Sequence, residues 1–350
     1  LALYTTTNID IFKITGLFEL TTPSTNWTPN TAFGYSVLPY RFAVILFWIF
    51  IFAFGIIFSL HQINKRKIKA ITCIILSIIC ITVYYTPSSK VIMDQRNVNG
   101  PNADYEYYTK HEDEIMIEKN NFNMTDLTMD ISTNSMLKAK VVIKVDNKNL
   151  EKYKFTLYHG YKISKITDSN NDELDFTRDS DYLTIKNTSK SKLIKIYYHG
   201  SCDKYYSNYL SVFLPGNFAF YPIPGFNEMY STHSYAGFDD LSLPYETDFN
   251  VTVHSLKKVQ CNLESSTNNE FKGKSDSLTL LSGFINCVTI NKTQIYYPYF
   301  NDAYNSDTIN EKLETFVSKN PNIKKIFIIP DINLEDIEFV KTFNDYMITA

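Results

Sequence analysis

The chain has 350 residues, a formal net charge of −3 and a hydrophobic fraction of 44%, a length that accommodates about two or three domains. A charge this close to neutral argues against nucleic acid as a partner, because nucleic-acid binding needs a concentrated basic surface. The longest apolar runs all lie between residues 42 and 85, so a membrane segment is predicted there.

Two uncharged apolar runs predict a transmembrane helical hairpin. The first run is Phe42–Leu60, with nineteen residues, and the second is Ala70–Tyr85, with sixteen. Nineteen helical residues extend roughly 28 Å at about 1.5 Å per residue, which is close to the hydrocarbon thickness of a bilayer. The second run is short, so flanking residues must complete its span. A pair of buried helices in a large soluble core is the alternative, but uninterrupted apolar runs favour lipid.

The connection between the two runs is basic and contains no acidic residue. Its cations are Lys65, Arg66, Lys67 and Lys69. Loops on the cytoplasmic side of a membrane carry such an excess of Lys and Arg, so this loop is placed in the cytoplasm and both flanks of the hairpin outside. Residues 1–40 then form an extracytoplasmic loop, and we expect the chain to be a fragment of a longer protein.

Residues 87–130 are predicted to be a polar connector. This stretch contains His111, Glu112 and Glu114, whose side chains are of the kinds that bind zinc. The zinc-protease pattern requires a second histidine four residues after the first, so that both imidazoles share one helix face. Residue 115 is Ile, so the pattern fails and a solvated charged surface is the favoured interpretation.

From residue 136 the apolar residues recur with a period of two. Leu137, Ala139, Val141, Ile143 and Val145 alternate with mostly lysine side chains, which predicts a half-buried strand with one wet face. Further strands, separated by polar turns, are predicted at residues 153–157, 163–167, 182–186, 193–198, 249–253, 278–281 and 288–297. Short strands at regular spacing are typical of a β-sandwich or a saddle-like sheet.

The other histidines do not indicate a site. His159 and His199 each precede a glycine, a pattern that turn formation explains. His233 and His254 are isolated, and His254 falls on the polar face of its predicted strand, where solvation is expected.

Five cysteines are present. Cys73 and Cys80 lie in the second apolar run and are interpreted as packing residues. Cys202, Cys261 and Cys287 lie in the soluble part. A disulfide between Cys261 and Cys287 is left open, because spacing alone does not determine bridges.

A different pattern begins near residue 303. Thr308 with Glu311 forms a capping box, which predicts a helix that ends at Asn320-Pro321. The wholly apolar run Ile326–Pro330 suits a buried strand, and Leu334–Phe343 is a second amphipathic segment. Residues 301–350 are therefore predicted to start an α/β unit that continues beyond the chain.

Six stretches follow one another in a recognisable order. They are residues 137–176, YLTIKN at 182–187, KLIKIYYHG at 192–200, FLPGNFAFYPIPG at 213–225, TDFNVTVHSL at 247–256 and NIKKIFIIP at 322–330. Their order resembles the N-terminal β-domain of the aminopeptidase N family of zinc metallopeptidases (gluzincins), followed by the strand that opens the catalytic domain. The resemblance covers roughly residues 131–335.

This resemblance implies a mainly β saddle or sandwich domain behind the helical hairpin. The expected division of the chain is an extracytoplasmic loop (1–40), a transmembrane hairpin (41–86, with spans 42–60 and 70–85), a linker (87–130), an aminopeptidase N-like N-terminal β-domain (131–300) and a truncated catalytic-type α/β domain (301–350). The segment LPYRFAVILFWIF at 38–50 resembles the last spans of a bacterial ABC-exporter-type permease that carries such a domain at its C-terminal end.

The implied function is a membrane component of a bacterial transport system, multi-pass in the cell membrane, with its large C-terminal part outside the cytoplasm. The expected partners are the lipid bilayer, an ABC ATPase subunit and a peptide cargo. One alternative is a membrane-anchored zinc aminopeptidase-like protein whose active site lies beyond residue 350. Another is an anchored binding module that uses the aromatic stretch Tyr205–Tyr235, for which packing of the sheet edge is the favoured interpretation.

The sequence departs from the family at the chemistry itself. The family uses two His and a Glu on one helix, with a downstream Glu, to hold zinc and its bound water, and residues 1–350 contain no such set. The family's glycine-x-methionine-glutamate-asparagine loop is also absent, and Glu228 is not assigned its role. We therefore assign no catalytic, cofactor-binding or metal residue, expect zinc only with a longer chain, and leave enzymatic activity open.

Overall fold

A computed structural model describes residues 39–59, 66–85, 103–134, 136–147, 149–202, 204–205, 207–209, 211–232, 237–299, 307–328 and 340–349. These residues belong to two compact units, one with the first two helices and one with the residues from Ala103 onwards. The predicted outer loop up to residue 38, the loop cation Lys65, residues 86–102 and His233 lie outside the described residues.

The first two helices are α1, Pro39–Ser59, and α2, Arg66–Tyr85. Both are long and apolar enough to cross a membrane. Where they touch, the buried side chains are Ala43, Val44, Cys80 and Tyr84. Most of their remaining apolar surface is open, as the exposed fractions of Phe52 (60%), Ile56 (63%) and Phe58 (61%) show.

Helix α2 begins earlier than the sequence predicted, because it starts at Arg66 and not at Ala70. With 20 residues it attains the length that a span requires. Its serine and threonine hydroxyls donate to carbonyls one turn earlier in the helix: Ser77 Oγ donates to the Cys73 carbonyl at 2.9 Å and Thr82 Oγ1 donates to the Ile78 carbonyl at 2.9 Å. Such local hydrogen bonds let polar residues sit in an apolar helix without an exposed donor.

The second unit is rich in β-structure. Its helical elements are α3 (Ala103–Lys110), a 3-10 helix (Glu112–Glu114) and α4 (Asp307–Lys319). Its described strands are β1 (Met124–Ser132), β2 (Leu137–Val145), β3 (Lys152–Thr156), β4 (Tyr161–Thr167), β5 (Phe176–Asp179), β6 (Tyr182–Lys186), β7 (Leu193–Gly200), β8 (Val212–Leu214), β9 (Ile223–Pro224), β10 (Tyr230–Ser231), β11 (Gly237–Phe238), β12 (Thr247–His254), β13 (Val259–Cys261), β14 (Glu264–Thr267), β15 (Glu270–Ser275), β16 (Leu280–Ser282), β17 (Ile285–Ile290), β18 (Thr293–Pro298), β19 (Lys325–Ile328), β20 (Val340–Thr342) and β21 (Tyr346–Thr349).

Seven strands form the largest sheet, in the order β14-β15-β12-β1-β2-β7-β4. The pair β1 and β12 is parallel, and the other neighbours in this sheet are antiparallel. Strand β2 alternates buried and exposed side chains along its whole length. The predicted half-buried strand is therefore confirmed, with its lysines on the wet face.

Three smaller sheets accompany the large sheet, in the orders β5-β6-β3-β9, β13-β16-β8 and β10-β11. One hydrophobic core joins them to it. Its largest fully buried side chains include many aromatic rings, among them Tyr153, Tyr161, Tyr221, Phe155, Phe218 and Phe220. The β-rich character that the sequence predicted is therefore present, and the core is built mainly from aromatic and branched residues.

The C-terminal residues form a mixed sheet in the order β17-β18-β19-β21-β20, with parallel pairing of β18 to β19 and of β19 to β21. Helix α4 places Leu313 and Val317 in a second core with Ile326. Strand β19 is buried from Ile326 to Ile328, as the apolar run predicted. Of the amphipathic segment predicted at 334–343, residues 334–339 lie outside the described residues, and residues 340–342 are the strand β20.

Three further differences concern the central part of the chain. The second half of the predicted connector carries α3 and then β1, which lies inside the largest sheet. The run 288–297 is two strands, because Asn291 and Lys292 have positive φ angles of 48° and 75° and form a hairpin turn. All five cysteines are free thiols, so the structure contains no bridge between Cys261 and Cys287.

Candidate functional site

A zinc site needs at least three protein ligands close together. Within the described part of the chain, no group of three His, Cys, Asp or Glu side chains could hold a metal ion. The residues present there therefore do not fit the zinc centre of the resembled peptidases, and no chemical step can be derived through a metal.

The acidic stretch after α3 is bound up in local contacts. His111 stacks on Tyr107 at a ring distance of 4.2 Å and donates through Nδ1 to the Tyr107 carbonyl at 2.7 Å. Glu112 accepts a hydrogen bond from Thr232 Oγ1 at 2.8 Å. His111 therefore packs against a ring and is only partly exposed, whereas the sequence favoured a freely solvated surface for this stretch.

Two of the other histidines lie on strand surfaces. His254 Nε2 is 3.1 Å from Asp130 Oδ1, and both side chains are more than half exposed. His199 Nδ1 is 3.2 Å from Ser164 Oγ on the neighbouring strand. Neither arrangement builds an enclosed site.

His159 has a different environment, because it lies between two carboxylates that come from distant parts of the sequence. Its Nε2 is 3.9 Å from Asp104 Oδ1 on α3, and its Nδ1 is 3.4 Å from Asp181 Oδ1 in the turn between β5 and β6. The three side chains are 18%, 13% and 3% exposed respectively. We call these three residues the His159 cluster, and it is our candidate functional site.

Tyrosine hydroxyls complete the hydrogen bonding of both carboxylates. Tyr108 OH donates to Asp181 Oδ2 at 2.9 Å, and Tyr158 OH donates to Asp104 Oδ1 at 2.5 Å. The backbone N–H of His159 also donates to Asp181 Oδ1 at 2.5 Å. Buried carboxylates are tolerated when they receive charge-assisted hydrogen bonds of this kind.

Aromatic stacking packs α3 against the same place. The ring of Tyr107 lies 3.6 Å from that of His159, with an interplanar angle of 7°. The ring of Tyr108 stacks on Tyr230 at 4.7 Å. Helix α3 is therefore attached to the β-domain through both charge and ring contacts.

Arg178 holds together the turns that position His159 and Asp181. Its guanidinium donates to the carbonyls of Leu157 at 2.8 Å, Tyr158 at 2.7 Å and Ser180 at 3.0 Å, and also to that of Tyr161. Burial lowers the pKa of Arg178, while the neighbouring Asp181 carboxylate opposes that shift. An arginine remains charged in proteins, so this half-buried cation fixes the turns by hydrogen bonding to backbone carbonyls.

The cluster lacks an activated nucleophile. Burial, reinforced by the carboxylates, raises the pKa of Tyr108 and of Tyr158 well above the ordinary value, so both hydroxyls stay protonated donors. Cys202 lies nearby, with Sγ 3.9 Å from Asp104 Oδ2, and burial raises the pKa of its thiol. Since the thiolate is the reactive form of cysteine, the arrangement supports attachment of α3 and not catalysis.

The aromatic stretch from Tyr205 to Tyr235 belongs to the core in its described part. Phe218, Phe220 and Tyr221 are fully buried, and Phe226 is 6% exposed. These rings are not available as a contact surface, so the packing interpretation is confirmed for them.

The sequence did not predict the His159 cluster. Its members are separated by up to 77 residues and lie in three different elements. The sequence explained His159 by turn formation before Gly160. A Cβ atom on Gly160 would clash with Tyr158 Cε1 and with the Ser201 carbonyl oxygen, so glycine is needed there. The one local signal was the tyrosine-rich segment 103–110 inside a stretch taken for a connector.

No family model matches the chain, and no curated protein matches it either. Solved structures give matches of low identity. Leukotriene A4 hydrolase from Saccharomyces cerevisiae is 14% identical over 65% of this chain and 40% of that one, with a TM-score of 0.41. The M1 zinc metallopeptidase from Deinococcus radiodurans is 10% identical over 62% of this chain and 58% of that one, with a TM-score of 0.39.

An aminopeptidase N family protein from Idiomarina loihiensis is 12% identical over 63% of this chain and 41% of that one, with a TM-score of 0.41. The structural neighbours named here are thus M1 aminopeptidase and leukotriene A4 hydrolase domains. This chain spans between 40% and 58% of their lengths. None of the three is an ABC permease, so the permease part of the sequence prediction gains no support from them.

Proposed function

We propose that this chain is the membrane-anchoring and N-terminal β-domain part of an aminopeptidase N-like protein, and that the β-domain acts outside the cytoplasm as a non-catalytic module. The observation that carries the anchoring is the open apolar surface of α1 and α2, including Phe52, Ile56 and Phe58. Side chains of this kind, exposed along two helices of 21 and 20 residues, need lipid or other apolar helices around them.

The sidedness rests on the basic start of α2. Helix α1 carries one cation, Arg41 at its start, whereas α2 begins with three, Arg66, Lys67 and Lys69. Such cations collect on the cytoplasmic side, which supports an extracytoplasmic position for the segment from Ala103 onwards. The peptidase-like assignment is supported by the order of the sequence motifs, and the catalytic part, if there is one, lies in residues other than those described.

The test is membrane fractionation combined with a topology reporter. The chain is expressed in bacteria with a reporter that is active only outside the cytoplasm, fused either after Lys67 or after Ser231. We expect the chain in the alkali-resistant membrane fraction, with an inactive reporter at Lys67 and an active one at Ser231. A chain that stays monodisperse in buffer without detergent would refute the anchoring, and reversed reporter activities would refute the sidedness.

Transport together with an ABC ATPase subunit and a peptide cargo is a second proposal. It is supported by the pairing of two apolar helices through Ala43, Val44, Cys80 and Tyr84, because consecutive packed spans are typical of polytopic proteins. An ATPase that co-purifies in constant proportion from solubilised membranes would support it. Recovery of the intact chain alone, under gentle solubilisation, would count against it.

A further inference from the structure

One corner of the β-domain exposes large apolar side chains next to lysines. Leu256, in the turn between β12 and β13, is 76% exposed, the highest value for a large hydrophobic residue in the described ranges. Phe284, just before β17, is 48% exposed, and Tyr299, just after β18, is 57% exposed. Large apolar side chains that are exposed next to one another on a folded surface indicate an interaction site.

Two contacts connect Phe284 to its neighbours, and Leu256 and Lys258 flank one of these neighbours, Lys257, in the chain. Tyr299 N donates to the Phe284 carbonyl at 2.8 Å, and the ammonium of Lys257 lies 4.2 Å from the centre of the Phe284 ring. Leu256 precedes Lys257 directly, and the Lys257 backbone N–H donates to Ser255 Oγ at 3.3 Å, which helps to fix the turn. We call Leu256, Lys257, Lys258, Phe284 and Tyr299 the corner patch.

The cations of the corner patch are not neutralised by carboxylates. Among the described residues, neither Lys257 nor Lys258 forms an ion pair with an acidic side chain. The patch therefore combines an exposed leucine, two aromatic rings and two lysine ammonium groups without a carboxylate partner, one of which lies over the Phe284 ring. Aromatic rings and leucine partition into the boundary between headgroups and acyl chains, while lysine keeps its ammonium at the anionic surface.

We propose that the corner patch binds the surface of a bilayer that contains anionic phospholipid. Charge complementarity selects this partner, because a purely apolar partner would leave two lysines unpaired at the contact. The covalent link to α1 and α2 is a second argument. A domain in the same chain as two membrane helices meets lipid at high effective concentration, so a weak surface contact suffices. This second argument rests on the proposed membrane anchoring.

The experiment uses the full chain inserted in lipid nanodiscs of two kinds, phosphatidylcholine alone and phosphatidylcholine with phosphatidylglycerol. Amide hydrogen exchange is followed in peptides that cover residues 254–260 and 283–287. We expect exchange about tenfold slower in the anionic discs, and loss of this protection in Leu256→Ser/Lys257→Gln and at high salt. The matched control is Ile117→Ser/Lys119→Gln, an exposed aliphatic and an exposed lysine elsewhere, which should keep the protection.

The outcomes distinguish a failure of the corner-patch proposal from a failure of the membrane-anchoring proposal. Equal exchange in both kinds of disc, with the chain correctly inserted, would overturn the corner patch and leave the anchoring intact. Protection that is the same in both lipids and survives the double substitution would mean that another protein surface covers the patch, and this also overturns it. A chain that does not insert into discs at all would overturn the anchoring; the patch is then decided by whether added anionic vesicles, and not neutral ones, protect the same peptides.

Discussion

Asp181 accepts hydrogen bonds from two different elements, through Tyr108 OH at 2.9 Å and the His159 N–H at 2.5 Å. In Asp181→Asn the side chain keeps its shape but loses the charge and one acceptor, so two buried donors compete for one oxygen. We expect a loss of about 2 kcal/mol in the free energy of unfolding, measured by urea denaturation in mild detergent. Asp179→Asn, an exposed neighbour, should stay within about 0.5 kcal/mol of the parent.

Ionisation of the Tyr153 hydroxyl makes the free energy of unfolding depend on pH in the alkaline range. Burial, with a contribution from Asp146, raises the pKa of its hydroxyl from the ordinary 10.0 to about 12. A raised pKa means that the folded state favours the neutral phenol. Its contribution to stability is therefore complete below about pH 10 and is lost as the pH rises towards about 12.

Replacing Tyr153 by Phe tests the direction of this pH dependence. The variant also loses the hydrogen bonds to the Asn147 carbonyl at 2.8 Å and from Asn187 Nδ2 at 2.9 Å, so it should be less stable by about 1 kcal/mol at neutral pH. Between pH 10 and about 12 its urea midpoint should fall less steeply than that of the parent. Parallel curves over this range would show that Tyr153 ionises as freely in the folded chain as in the unfolded one.

Helix α3 has only eight residues, too few to be stable by itself in water, so its structure depends on contacts with the β-domain. Removing the ring in Tyr107→Ala abolishes the stacking on His159 and on His111. A stacked pair contributes about 1 kcal/mol, so amide exchange across residues 103–111 should become roughly fivefold to tenfold faster. Tyr105→Ala, at a 44% exposed position of the same helix, should change exchange little, and an equal effect of both variants would contradict the docking role.

The hairpin of β17 and β18 turns at two residues with positive φ, Asn291 at 48° and Lys292 at 75°. Lysine is strained in this region and glycine is not, while Asn-Gly is the preferred pair for such a turn. Lys292→Gly should therefore raise the free energy of unfolding by about 1 kcal/mol. Lys292→Ala removes the same side chain without relieving the backbone, so it should give no gain in the same denaturation assay.

The chain combines two units that need different surroundings: α1 and α2 expose apolar surface that needs lipid, and the unit from Ala103 onwards is expected to fold in water. Deleting residues 39–85 removes the exposed apolar surface of α1 and α2 and leaves the compact unit from Ala103 onwards. We expect this shortened chain to stay monomeric in buffer with the far-ultraviolet circular dichroism of a β-rich protein, measured after size-exclusion chromatography. If it aggregates as strongly as the full chain does without detergent, the open apolar surface that needs lipid is not confined to the two helices.

Local pattern was a good guide to some elements and a poor one to others. The strands at 137–145 and 182–186 were predicted because apolar side chains alternate with polar ones or fill a short run. Strand β1 was missed because its alternation begins inside a stretch rich in Asn and acidic residues. For the segment that contains β20 the sequence predicted amphipathicity but no type of element, since short apolar runs fit either structure until their neighbours are known.

The sequence by itself determined where apolar side chains concentrate: two uncharged runs, a series of alternating strands, and one helix with a single apolar face. These features need only short-range periodicity, because the backbone geometry of a helix or a strand converts spacing into a face. The tertiary structure alone decided that β1 pairs in parallel with β12, with Leu127 opposite Phe249, and that Asp104 and Asp181 meet at His159. Such contacts join residues far apart in the chain, and their energy exists only once the whole core has closed around them.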